Sequence, residues 1–241
     1  SDVRNVKTSD GVRLNSSTIG SNTLNIKGFG VLGGDNVNQS SGVYLEGGSL
    51  NATDSISIRG FSGYGQELEK SDGVDLVSTR LFADSIKIFG SSYYADQSDV
   101  IGTYNQGIHI FDSKLNASEA LSLRGQGGPG FEWLDGIEVS NSQLTSGRSL
   151  QMSGYGGEGE NISSSTGIYV SNSKIRAPRL TMEGKGGSST ITEVINTKET
   201  HLNDGIAVVD STIRFERLAW RSRVPMMGLL KPIFFLSLDN P

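Results

Sequence analysis

Asp75, His109 and Glu138 are the residues whose types and spacing come nearest to catalytic chemistry. Each stands two residues after the glycine of a recurring tetrad: Gly73-Val74-Asp75-Leu76, Gly107-Ile108-His109-Ile110 and Gly136-Ile137-Glu138-Val139. If the tetrads stack as equivalent strands, the three polar side chains share an outward column with rungs about 5 Å apart. An imidazole between two carboxylates can be tuned as a general acid or base. Across all repeats, however, that column reads Arg13, Tyr44, Asp75, His109, Glu138, Tyr169 and Ala207, the mixed-sign ladder of a solvated sheet face. No nucleophile or metal cage recurs beside it, so the solvated face is the expected reading. No catalytic, cofactor-binding or metal-binding residue is assigned.

Three further groups could carry chemistry. Asp10, Asp72, Asp135 and Asp204 precede opening glycines, but Ser41, Gln106 and Thr166 interrupt them, and Asp-Gly is an ordinary turn dipeptide. A column of small polar residues (Ser17, Gly48, Thr79, Ser113, Ser142, Ser173, Ser211) runs beside Asp112, Asn141, Asn172 and Asp210. It reads either as a ligand ladder or as side chains satisfying turn backbone, and the turn role is the expected one. Finally, Tyr93, Tyr94, Phe131 and Trp133 fall in mid-loop, where rings suit a sugar or a partner's hot spot. Phe29, Phe61 and Tyr155 follow closing glycines directly and are expected to fold back over the sheet.

The elements that position these groups are repeats. Tetrads start at 11, 42, 73, 107, 136, 167 and 205, and each is followed by a third aliphatic and an alternating pair. The third column holds Ile19, Leu50, Leu81, Leu115, Leu144, Ile175 and Ile213. The pairs run from Leu24/Ile26 through Leu121/Leu123 and Leu150/Met152 to Leu218/Trp220. Polar residues such as Asn25, Ser57 and Gln151 separate each pair, the period of two that marks a half-buried strand. Such short strands cannot bury their own apolar face, so the repeats must stack. The expected fold is all-β: a single-stranded parallel β-helix, or solenoid, of about seven coils. Glycine closes each coil at Gly28, Gly60, Gly90, Gly125, Gly154 and Gly184, where a corner needs positive φ or a close backbone approach. All variation in length lies between a closing and the next opening glycine, so the loops leave from one corner.

Composition agrees. Of 241 residues 32 are Gly, 5 Pro and none Cys, which excludes disulfides and thiolate chemistry. No apolar run approaches the ~18 residues of a membrane span. The net charge is -5, and Lys and Arg are spread along the chain rather than clustered, which argues against nucleic acid and disfavours polyanions. The chain starts at Ser1 with its first Met at Met152, and is expected to be a piece of something longer. Residues 1–10 read as a remnant of a preceding coil or a cap, and 11–220 as the repeats. Residues 221–241 read as a hydrophobic cap or a non-native tail.

The unit Gly-Ile-x-Val-x-x-Ser-x-Leu followed by Ser-Leu-x-Leu-x-Gly-x-Gly-Gly, as in 107–128 and 136–157, resembles the β-strand repeats of large bacterial exoproteins of the filamentous haemagglutinin type. The resemblance covers 11 to about 220. It implies a right-handed helix, export to the outer surface or beyond, and a non-catalytic adhesive or stalk role. The implied partners are a host or neighbouring-cell glycan or surface protein, and further coils of a longer parent. The amino-terminal secretion domain of that family and its Asn-Pro-Asn-Gly motif are absent. Polysaccharide lyases and hydrolases share the β-helix, and a carbohydrate-active enzyme is the alternative reading.

Overall fold

Branched aliphatics alternating with polar residues form strands that bury one face, and strands are the only regular elements among the described residues. The computed structural model describes residues 10–30, 32–35, 39–66, 68–92, 102–130, 132–160, 162, 164–187, 189–190 and 204–223. Among them all strand pairs are parallel. The tetrads build one seven-stranded sheet in chain order, from Val12–Asn15 through Ile108–Phe111 to Ile206–Val209. A second sheet takes the remainder of each repeat. Its early strands are long, as in Ser49–Phe61 and Lys114–Gln126, with a register shift between Ala117 and Ala120. Later ones are broken in two, as in Gln143–Ser146 and Ser149–Tyr155.

The molecule is therefore a parallel β-solenoid. The chain closes about five full turns, slightly fewer than the seven coils expected. Residues 191–203, which follow the sixth rung, lie outside the described residues, and the last rung ends at Arg223. Of the expected terminal segments, residues 1–9 and 224–241 also lie outside them. Arg221–Arg223, expected beyond the repeats, instead extend the last strand and pair with Glu183–Lys185.

All five apolar columns are in register. Leu24, Ile56, Ile86, Leu121, Leu150, Leu180 and Leu218, for example, are successive Cα partners. Interior rungs are sealed, with Ile56 at 0 % and Leu121 at 1 % exposure. The first rung (Val12, Leu14, Ile19) and the last (Val208, Leu218, Trp220) are only partly buried, because among the described residues each has a neighbouring rung on one side only.

Two devices turn the corners. Between the sheets, Ser16, Ser78, Asp112, Asn141, Asn172 and Asp210 adopt φ of 46° to 50°, a region that Asn and Asp tolerate better than most residues. The hydroxyl after each then bonds along the rod. Ser142 Oγ accepts from Ser113 N at 2.9 Å and donates to Ser140 O at 2.7 Å, and Ser173 Oγ repeats the pattern on the next rung. At the other corner the backbone crosses itself. A Cβ on closing Gly60 would lie 1.8 Å from the Gly73 carbonyl oxygen, and one on opening Gly42 would lie 2.1 Å from Phe61 N. Close approach, not positive φ, is what these glycines serve.

The connections stack as well. Backbone bridges link Gln39 to Lys70, Lys70 to Tyr104, Tyr104 to Trp133 and Trp133 to Ser164. Polar residues just inside this ladder, Ser40, Ser71, Asn105 and Ser165 among them, are buried and largely satisfied by backbone.

Candidate functional site

Stacking places Asp75, His109 and Glu138 on successive rungs of the first sheet, as expected. The expectation of a solvated face is overturned. Asp75 is 0 % exposed, because the segment leading into its own repeat brings Lys70 and Asp72 against it. Asp75 Oδ1 meets His109 Nδ1 at 2.8 Å, and its Oδ2 lies 2.7 Å from Lys70 Nζ. Asp72 Oδ2 is 3.4 Å from the same ammonium and accepts no hydrogen bond, while its Oδ1 accepts from Gln106 N. Glu138 turns away from the imidazole and accepts from the Gln106 side-chain amide. Asp75 and His109 are thus brought together, and Glu138 is not added to them.

Burial and pairing set the protonation states. Burial raises Asp72 to about 6, against the pull of Lys70. Burial acts the same way on Asp75, but the His109 hydrogen bond and charge, with Lys70, outweigh it and leave it lowered. Burial pulls His109 down, yet the bond and charge of Asp75, joined by Asp72, leave it raised. Lys70 is likewise raised, burial being overcome by the two aspartates.

Donor atoms of Asp72, Asp75 and His109 lie within 4.8 Å of one another, close enough to ligate one ion. Lys70 already supplies a tethered cation at that place. The cluster can pass a proton between His109 and Asp75, and its charges are largely balanced among its own members.

The aspartates before opening glycines form a second feature that the sequence shows only as turn residues. Asp10 Oδ1 accepts from Ser41 N at 2.9 Å, Asp72 Oδ1 from Gln106 N at 3.1 Å and Asp135 Oδ1 from Thr166 N at 2.6 Å. Each aspartate therefore clamps the next rung, and the interrupting Ser41, Gln106 and Thr166 are the residues clamped. Alternation keeps neighbouring carboxylates two rungs apart, about 10 Å, which limits their repulsion. Asp135 is 0 % exposed, its Oδ2 has no hydrogen-bond partner, and burial with the charge of Glu138 raises it to about 7.

Of the aromatic candidates, Tyr93, Tyr94 and Phe131 lie outside the described residues. Trp133 is half-buried and belongs to the stacked ladder between Tyr104 and Ser164, not to a free loop tip. Phe29 is expected to fold back; it stacks on Phe61 at 5.1 Å but stays 52 % exposed, as no rung among the described residues lies beyond the first. Phe61 and Tyr155 are half-buried.

The premise that cations are spread out is also corrected. Apart from Arg13 on the first sheet, every exposed lysine and arginine among the described residues stands on the second sheet or in its kink. Residues some thirty positions apart in sequence become neighbours in a solenoid, so Arg80 pairs with Lys114, and Arg179 with Arg217.

Searches against family models, curated proteins and solved structures found no match for this chain. What the fold defines is a class, the parallel β-solenoids, which includes both enzymes and adhesins.

Proposed function

We propose that this chain is a non-catalytic repeat segment of a secreted or surface-exposed bacterial exoprotein, serving as stalk and scaffold in attachment or cell contact. The observation that carries the reading is the uniform register of five apolar columns over every rung, with all irregularity kept outside them. A rod so built sets length and rigidity and leaves recognition to its surface. The repeat unit's resemblance to filamentous haemagglutinin-type exoproteins agrees with this. Antibody labelling of producing cells tests the placement: signal on intact cells is expected, and signal only after permeabilisation would refute it.

One observation favours a carbohydrate-active enzyme instead, the Asp75–His109 pair beside the raised Asp72 carboxyl. Its geometry supports an ion network better than catalysis, because Asp75 is fully buried and Lys70 holds the space between the aspartates. Turnover of polygalacturonate or alginate that disappears in Asp75→Asn and His109→Ala variants would establish the enzyme.

A further inference from the structure

The basic face needs an explanation, because stacking like charges on adjacent strands destabilises a sheet. Away from that face the exposed Arg13 and the half-buried Lys70 are ion-paired to aspartates. On it, Arg221 with Glu183, 3.7 Å apart, is the only ion pair among the described residues. Of the exposed acids, Glu46, Glu132 and Asp210 lie on other parts of the coil, while Asp54, Asp84, Glu119 and Glu216 stand at the kink of the second sheet. On either side of that kink the second sheet of a protein with net charge -5 carries mainly cations.

Where this face meets the corner between the sheets, a groove of about 480 Å³ runs along the rod. Arg80, Lys114 and Lys174 line it with the amides of Asn141, Gln143 and Asn172. Lys114, Gln143 and Lys174 are successive register partners, and Arg80 precedes them, so the cations are one and two rungs apart, about 5 and 10 Å. The groove's one acid, Asp112, is engaged by Ser78 Oγ at 3.0 Å. No aliphatic or aromatic side chain lines it. A protein partner would want an apolar anchor there and a single-stranded nucleic acid a stacking ring. Axial cations interleaved with amides instead match a linear chain that carries an anion every one or two units and hydroxyls between them.

We propose that this groove binds a linear acidic polysaccharide bearing carboxylate or sulfate groups. The inference deepens the attachment role proposed above and rests on it for its biological setting. Arg80, Lys114 and Lys174 contact the anions, and Asn141, Gln143 and Asn172 the sugar hydroxyls.

The test uses the full chain over surfaces carrying alginate or dextran sulfate, with neutral dextran and double-stranded DNA alongside. Binding to one or both charged glycans, none to neutral dextran, and a loss of about tenfold or more between low and physiological salt are expected. Which glycan binds separates carboxylate from sulfate. The triple variant Arg80→Gln/Lys114→Gln/Lys174→Gln should lose about tenfold, and Lys27→Gln/Arg59→Gln/Arg124→Gln, on the far rim, less than about threefold. Unchanged melting temperatures guard against unfolding. Absence of glycan binding, or equal binding by the folded groove variant, overturns the proposal. Tighter binding to DNA would make this a nucleic-acid surface, and salt-sensitive dimerisation without glycan binding would assign the face to a second copy. Product release would refute the non-catalytic reading while leaving the groove assignment intact.

Discussion

A Cβ on Gly60 would lie 1.8 Å from the carbonyl oxygen of Gly73, the opening glycine of the next repeat. Gly125 stands in the same relation to Gly136, at 1.8 Å. Backbone held by two parallel sheets cannot move aside without shifting a rung. Gly60→Ala and Gly125→Ala should each cost about 3 kcal/mol, the upper range of overpacking. Gly20, whose Cβ would meet nothing within 4 Å, is the control, and Gly20→Ala should stay within about 0.5 kcal/mol of wild type. Urea unfolding at neutral pH reads all three, and equal stability would show that the crossing relaxes freely.

Position along the rod sets the cost of a core change. Leu115 is 0 % exposed between two rungs, so Leu115→Ala should cost about 2–5 kcal/mol. Ile19, two rungs before Leu81 in the same column, is only partly buried, and Ile19→Ala should cost about 1 kcal/mol, for less area is lost from burial. Leu115→Asp should leave no folded protein, because a buried charge would have no partner. Thermal melts of the three check the ranking.

The apolar columns were legible in the sequence because each rung repeats the same inward residues, and burial selects on residue type alone. The hydroxyl ladder was legible for a similar reason, as turn chemistry is local. The ion network was not. Lys70 reaches Asp75 only because its segment folds along the first sheet, and no periodicity links it to His109. The cationic face was missed for the opposite reason: the residues were visible, but charges one repeat apart look dispersed until stacking brings Arg80 beside Lys114.

Lys70 should be worth more than a surface lysine, since it lies between two buried carboxylates. Lys70→Ala leaves Asp72 and Asp75 facing each other with only His109 to offset them. Breaking a buried pair from one side costs about 3–5 kcal/mol, and a loss of that order is expected at pH 7. At pH 5, where Asp72, raised to about 6, takes up a proton, the loss should shrink. Urea titrations at both pH values provide the comparison, and a loss independent of pH would mean that Lys70 acts through packing.

Stability as a whole should fall as pH rises from about 5 to 8. Asp72 and Asp135 are raised to about 6 and about 7 by burial, so between the ordinary 3.8 and those values the folded state binds protons that the unfolded chain has released. Their contribution is fully present below 3.8 and is lost as pH climbs through 6 and 7. His109, also raised, acts in the same direction: its contribution is complete below 6.5 and disappears above that. Asp75, lowered, contributes above 3.8 and loses its share only on stronger acidification. The optimum therefore falls near pH 4–6, and the decline beyond it should amount to a few kcal/mol. Asp135→Asn separates the causes. The asparagine oxygen can still accept from Thr166 N and Ser164 Oγ, while the titrating group, whose Oδ2 has no partner, is gone. The variant should match or exceed wild type at pH 8 and show a shallower slope from pH 5 to 8. A slope as steep as wild type would place the pH dependence elsewhere than in the buried aspartate column.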